Sequence, residues 1–135
     1  MYRVTKELHF CYGHRLLRYD GKCKFLHGHN ARVEIELESP TLDHRGMVYD
    51  FSDIKRSIQS WIDRELDHKM ILCRDDTLVK ALTDLTEPFF VMEANPTAEN
   101  IARLIYDYAV SQSFPVREVR LWETPTSFAA YGPDA

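Results

Sequence analysis

At 135 residues, with 44% apolar and 28% charged side chains, the chain can bury one hydrophobic core and is too apolar for a disordered segment. A net charge of −4 supplies no basic face for nucleic acid, and no run of about 18 apolar residues offers a membrane span. Three cysteines without a signal-peptide core point to reduced thiols and a cytoplasmic protein, not to a disulfide framework.

Residues 1–135 read as one domain with no repeat or linker. The N-terminal segment alternates: Tyr2, Val4, Leu8 and Phe10 share one parity, and Arg3, Thr5, Glu7 and His9 the other, as in a strand with one buried face. A second strand is cleaner still. Ala31, Val33, Ile35 and Leu37 alternate with Asn30, Arg32, Glu34, Glu36 and Glu38. His27 and His29 continue its apolar parity, so both rings should open the strand from the buried side. Ser39-Pro40 ends it, and Thr41 to Met47 is a loop closed by Gly46.

Asp50 or Ser52 can cap a helix whose stripe runs Ile54, Ile58, Trp61, Ile62 and Leu66. Asp67 to Glu93 has no dominant period; Leu78–Leu85 is compatible with a short helix and Phe89–Met92 with a short extended piece. Asn95-Pro96 starts another helix, with proline at its first position and Ile101, Leu104, Ile105 and Tyr108 buried. Val119, Leu121 and Glu123 share a face of a third long strand, and Phe128–Tyr131 forms a last short one. The expected fold is α+β: a four-stranded antiparallel sheet in ββααββ order with two main helices on one face. The other face needs cover, and sister subunits are its expected source.

The chemistry concentrates in Cys23-Lys24-Phe25-Leu26-His27-Gly28-His29, with His14 upstream. Neutral imidazoles on one face of a strand can share one zinc ion, which makes His14, His27 and His29 its candidate ligands. Gly28 lets a backbone or ligand come close. Cys23 has two readings: the fourth ligand of a closed structural site, or a free thiol beside an open catalytic one. Cys11 and Cys73 read as small buried side chains, and His9 and His44 as solvated. Asp67 and His68 are adjacent, so they need a turn to interact. Glu123 places a charge on an apolar strand face and therefore requires a partner, either a basic side chain or a ligand. Glu99, in a first helical turn, needs no more than the helix dipole to explain it. Arg15, Arg18, Lys22 and Lys24 are cations that phosphates could use.

Together these residues resemble the 6-pyruvoyl-tetrahydropterin synthase / 6-carboxy-tetrahydropterin synthase family. The resemblance runs through Phe10-x-x-x-His14, Cys23-x-x-x-His27-Gly28-His29, Gly46-Met47-Val48-x-Asp50-Phe51, Leu66-Asp67-His68, Pro96-Thr97-x-Glu99-Asn100 and Glu123 to Tyr131. It implies the tunnelling fold, a trimer closing a β-barrel, and two trimers stacked as a hexamer. It also implies zinc on His14, His27 and His29, proton transfer by Cys23, Asp67 and His68, and a pterin substrate held by Glu123 with Thr97 and Glu99. Three residues between Cys23 and His27 match the 6-carboxy branch of queuosine synthesis better than the biopterin branch, whose spacing tends to be five. Leu72 and Cys11 depart from the pattern. The implied activity is a zinc-dependent lyase acting on 7,8-dihydroneopterin triphosphate. The alternatives are a 6-pyruvoyl synthase that keeps the side chain, and a non-catalytic zinc module. A cysteine hydrolase built on Cys23, His68 and Asp67 would leave three histidines and Glu123 without a purpose.

Overall fold

β1 (Tyr2–His14) and β2 (His27–Ser39) pair antiparallel over their whole length, with Tyr2 opposite Ser39 and His14 opposite His27. The computed structural model describes residues 1–133 of the chain. The alternation read from the sequence holds in both strands. Leu8, Phe10, Tyr12 and His14 of β1 and Ala31, Val33, Ile35 and Leu37 of β2 are buried on one face. β1 runs four residues beyond Phe10, which carries His14 onto this buried face.

α1 spans residues 51–65, with a π-helical turn at Lys55–Gln59 in its middle. Asp50 caps it, its carboxylate accepting from Ser52 N at 2.8 Å. Its stripe Ile54, Ile58 and Ile62 is fully buried. α3 (Ala98–Ser111) adds Ile101 and Ile105 to the same core, which meets Val119 and Leu121 of β5 (Val116–Thr124). Each such side chain contributes about 1.5–3 kcal/mol when fully buried. Proline is not the first residue of α3: Thr97 is the N-cap, its Oγ1 accepting from Asn100 N at 3.1 Å.

The expectation of four antiparallel strands is corrected to a mixed sheet of six: with β3 at Lys69–Cys73, β4 at Phe89–Met92 and β6 at Ser127–Tyr131, the order is β4-β3-β1-β2-β5-β6. β3 (Lys69–Cys73) lies parallel to β1, and β4 (Phe89–Met92) parallel to β3. α2 (Leu78–Asp84) connects them. Met70 to Cys73 is a short apolar run of the kind a buried parallel strand shares with a buried helix, so its period carried no information. β6 (Ser127–Tyr131) is the far edge.

The outer face of the sheet is not the apolar surface that the demand for cover assumed. Arg120 pairs with Glu34 and Glu36, and Arg117 with Glu36 and Glu38. Arg32 stacks on Trp122 at 4.4 Å. What stays open is the edges, since β3 covers β1 only at Tyr12–His14.

Candidate metal centre and the cavity beside it

The register of β1 against β2 builds the centre. His14 faces His27 and Tyr12 faces His29, all four on the core side of the strand ends. A ring nitrogen from each of His14, His27 and His29 lies within 4.8 Å of the other two. The ring centroids are 4.4, 5.1 and 5.2 Å apart.

Backbone carbonyls fix the tautomers. His14 Nδ1 is 2.7 Å from the Pro96 carbonyl, and His27 Nδ1 is 2.8 Å from that of Phe25. A carbonyl only accepts, so both Nδ1 atoms carry the proton and both Nε2 lone pairs are free for a metal. His14 Nε2 and His29 Nε2 stand 3.1 Å apart. A tetrahedral zinc with bonds of ~2.0–2.1 Å spaces its ligands by about 3.3 Å, so the residues present fit the ion. Burial pushes the His14 imidazole toward its neutral form, outweighing the Pro96 carbonyl and the Glu123 charge. Cys23, in a short 3₁₀ turn at Lys22–Lys24, is not among the three grouped donors.

Glu123 finds partners that the sequence did not indicate. Its Oε2 accepts from the Tyr12 hydroxyl at 2.6 Å and stands 3.5 Å from Nε2 of both His14 and His29. Burial, reinforced by Glu123, raises the Tyr12 pKa and keeps the phenol a donor. Among the described residues nothing donates to Oε1. Glu123 and Glu99 line one cavity of about 350 Å3, closed by Ala98 at the start of α3 and by Phe128 and Ala129 of β6. The Thr97 hydroxyl is engaged in capping α3.

Asp67 and His68 meet in a turn, as their adjacency requires. His68 adopts φ +60, its Nδ1 donates to Asp67 Oδ2 at 2.8 Å, and its N–H donates to the Cys11 carbonyl at 2.8 Å. Asp67 Oδ1 accepts from Cys11 N at 2.9 Å. Burial works against the Asp67 carboxylate, but the Cys11 N–H and the His68 ring outweigh it and lower its pKa. Cys11 is therefore no core filler. It is half-buried beside this pair, whereas Cys73 is buried as expected.

Cys11 and Gly13 alternate with Tyr12 and His14, so the Cys11 side chain points to the other face of β1, where it lines a groove with His68 as well as with His27 and His29. The Gly13–Gly28 pair forms the floor of this groove of about 730 Å3, walled by Leu26, Met70 and Leu82. A Cβ at Gly28 would stand 2.9 Å from the Tyr12 carbonyl, the close approach its position suggested.

His9 and His44 are exposed as expected. Arg15 is not a free cation: it forks onto the buried Asp76, with Nε 2.9 Å from Oδ2. Leu72 is fully buried in β3.

The sequence profile described as 6-pyruvoyl tetrahydropterin synthase matches residues 3–134. A 6-carboxy-5,6,7,8-tetrahydropterin synthase of Rickettsia conorii is 38% identical over 135 residues, covering 95% of this chain and 98% of that protein. One of Haemophilus influenzae is 34% identical, covering 97% and 99%. The structure of the 6-pyruvoyl tetrahydropterin synthase of Caenorhabditis elegans superposes with a TM-score of 0.69 at 25% identity, over 99% of this chain and 98% of that one.

Proposed function

Because the chain belongs to the 6-pyruvoyl tetrahydropterin synthase family, we propose that it is a zinc-dependent lyase forming 6-carboxy-5,6,7,8-tetrahydropterin. Its substrate is 7,8-dihydroneopterin triphosphate, and it releases acetaldehyde and triphosphate, a step toward queuosine and related deazaguanines. One observation carries this reading: three clustered imidazoles, two of which, His14 and His29, stand with Nε2 3.5 Å from the Glu123 carboxylate that lines the neighbouring cavity. The three-residue spacing of Cys23 from His27 and the named activity of the relatives support the carboxy product.

His14, His27 and His29 would hold a zinc ion, which would supply Lewis-acid polarisation of the substrate's side-chain oxygens. Glu123 receives the amidine edge of the pterin, whose two N–H groups match one carboxylate. Tyr12 holds that carboxylate in place, Glu99 lines the same cavity, and Thr97, the N-cap of α3, is a lesser contact beside it. Cys23 takes the side-chain proton, and a cluster formed by the three imidazoles without Cys23 favours this role over a closed structural site. His68, oriented by Asp67, moves protons on the opposite side of the substrate. Within one chain neither Asp67 nor His68 lines the Glu123 cavity, and a second copy whose groove face meets the first copy's three imidazoles would bring the pair to the substrate. The open edges of β1 and β6 support the barrel-forming trimer, and its pairing into a hexamer, that would supply one.

The rival product, 6-pyruvoyl-tetrahydropterin, retains the side chain, and the family's own description favours it. Incubation with 7,8-dihydroneopterin triphosphate followed by mass spectrometry separates the two. Carboxypterin with acetaldehyde supports the proposal. A pyruvoyl product without acetaldehyde replaces it, and unreacted substrate refutes both.

A further inference from the structure

Cys11, Asp67 and His68 form a second cluster of donors. A ring nitrogen of His68, a carboxylate oxygen of Asp67 and Sγ of Cys11 lie within 4.8 Å of one another. The backbone holds them together: His68 N–H donates to the Cys11 carbonyl at 2.8 Å, and Cys11 N–H donates to Asp67 Oδ1 at 2.9 Å. Asp67 Oδ2 holds the His68 Nδ1 proton at 2.8 Å, which leaves the Nε2 lone pair for another partner. Cys11 and His68 both line the groove on the far side of β1, and the His68 side chain is 78% exposed, so an ion can reach them. Glu87 lines the same groove and adds negative charge.

Thiolate, imidazole and carboxylate are the donor types that zinc and cadmium take. Zinc bonds of ~2.3 Å to sulfur and ~2.0 Å to nitrogen set a tetrahedral sulfur–nitrogen edge of about 3.5 Å, so binding draws the Cys11 thiol and the His68 ring together from the 4.8 Å within which their donor atoms lie. The sequence singled out Cys11 as a departure from the family pattern. Nothing in the proposed reaction uses its thiol.

We propose that Cys11 and His68 bind a thiophilic divalent cation at a second site, separate from the three imidazoles. Asp67 orients the His68 ring, and water fills the remaining positions. Binding replaces the thiol proton with the metal and releases that proton to solvent. Occupancy also takes His68 out of proton transfer, a consequence that rests on the reading above; the test therefore follows metal binding and not turnover.

Titration of the zinc-loaded protein with cadmium, followed by the ultraviolet charge-transfer band of a cadmium thiolate, reads this site directly. One equivalent per chain should produce the band. It should vanish in Cys11→Ser, persist in Cys23→Ser, and form at least about 10-fold more weakly in His68→Ala, the scale of losing a partner at a metal site. Circular dichroism of each variant checks folding. A band that survives Cys11→Ser, or one that forms with undiminished affinity in folded His68→Ala, overturns the site. Neither result bears on whether the protein turns over a pterin.

Discussion

The Tyr12 hydroxyl donates to Glu123 at 2.6 Å, and the same carboxylate oxygen stands 3.5 Å from Nε2 of His14 and of His29. The charge on the apolar face of β5 is thus tied to the histidine cluster through residues of β1 and β2. Tyr12 occupies the interior position next to His14 on its own strand and faces His29 across the pair.

Glu123→Gln should weaken pterin affinity by about 1.5–3 kcal/mol, the scale of a hydrogen bond to a charged group. Tyr12→Phe leaves the carboxylate in place and removes only its anchor, so its effect should be smaller, about 0.5–1.5 kcal/mol. Calorimetric titration of both variants with a pterin measures the pair. Unchanged affinity in Glu123→Gln would put the pocket elsewhere.

Asp76→Asn should destabilise the protein at neutral pH. Removing one member of a fully buried ion pair costs about 3–5 kcal/mol, and the 24% exposure of the Arg15 side chain reduces this to about 2–3 kcal/mol. Burial raises the Asp76 pKa, but the Arg15 guanidinium and the Leu78 N–H outweigh it and hold it below the ordinary carboxylate value. A depressed carboxylate contributes its stability above the unfolded pKa of about 3.9, and that contribution fades as pH falls through the folded value. The gap between wild type and variant in urea unfolding should therefore be constant from pH 7 to 5 and shrink below about 4. A gap that widens on acidification would contradict the ion pair.

Light scattering at micromolar concentration should report a trimer or hexamer, because β1 from Tyr2 to Phe10 and β6 are open edges at the two sides of one sheet. The charged outer face favours assembly through those edges over stacking of flat apolar faces. A monomer would contradict the assembly that the proposed reaction uses.

Period-2 patterning made much of this legible. His27 and His29 continue the parity of Ala31 to Leu37, and that parity alone placed both rings on the core face. Glu123 was conspicuous for the same reason. Register was not legible: nothing in the sequence says that Tyr12 meets His29, so Tyr12 was missed as the partner of Glu123. β3 was missed because Met70 to Cys73 is too short and too evenly apolar to show a period. The surroundings of Cys11 are not legible in the sequence because its neighbours, Asp67 and His68, arrive from 56 and 57 residues later through a turn at the end of α1. Arg15 lost its freedom to Asp76, a partner 61 residues away.

Cys23→Ala separates the two readings of the thiol. A proton-transfer residue beside an open metal site leaves a folded, zinc-bearing protein whose turnover falls by ~10²–10⁴-fold. A fourth structural ligand would instead take the zinc and much of the thermal stability with it. Zinc analysis, thermal melting and turnover on one preparation decide between them, and we expect retained zinc and lost activity.

The central claim is that His14, His27 and His29 form one metal site on which the chemistry depends. Its most direct measurement is the zinc retained by His29→Ala after gel filtration through metal-free buffer, beside wild type and with pterin turnover read on the same samples. Wild type should keep about one zinc per chain, the coordination of a three-histidine site. The variant should lose nearly all of it, together with activity. His29→Ala with a full complement of zinc would show that the metal is held elsewhere.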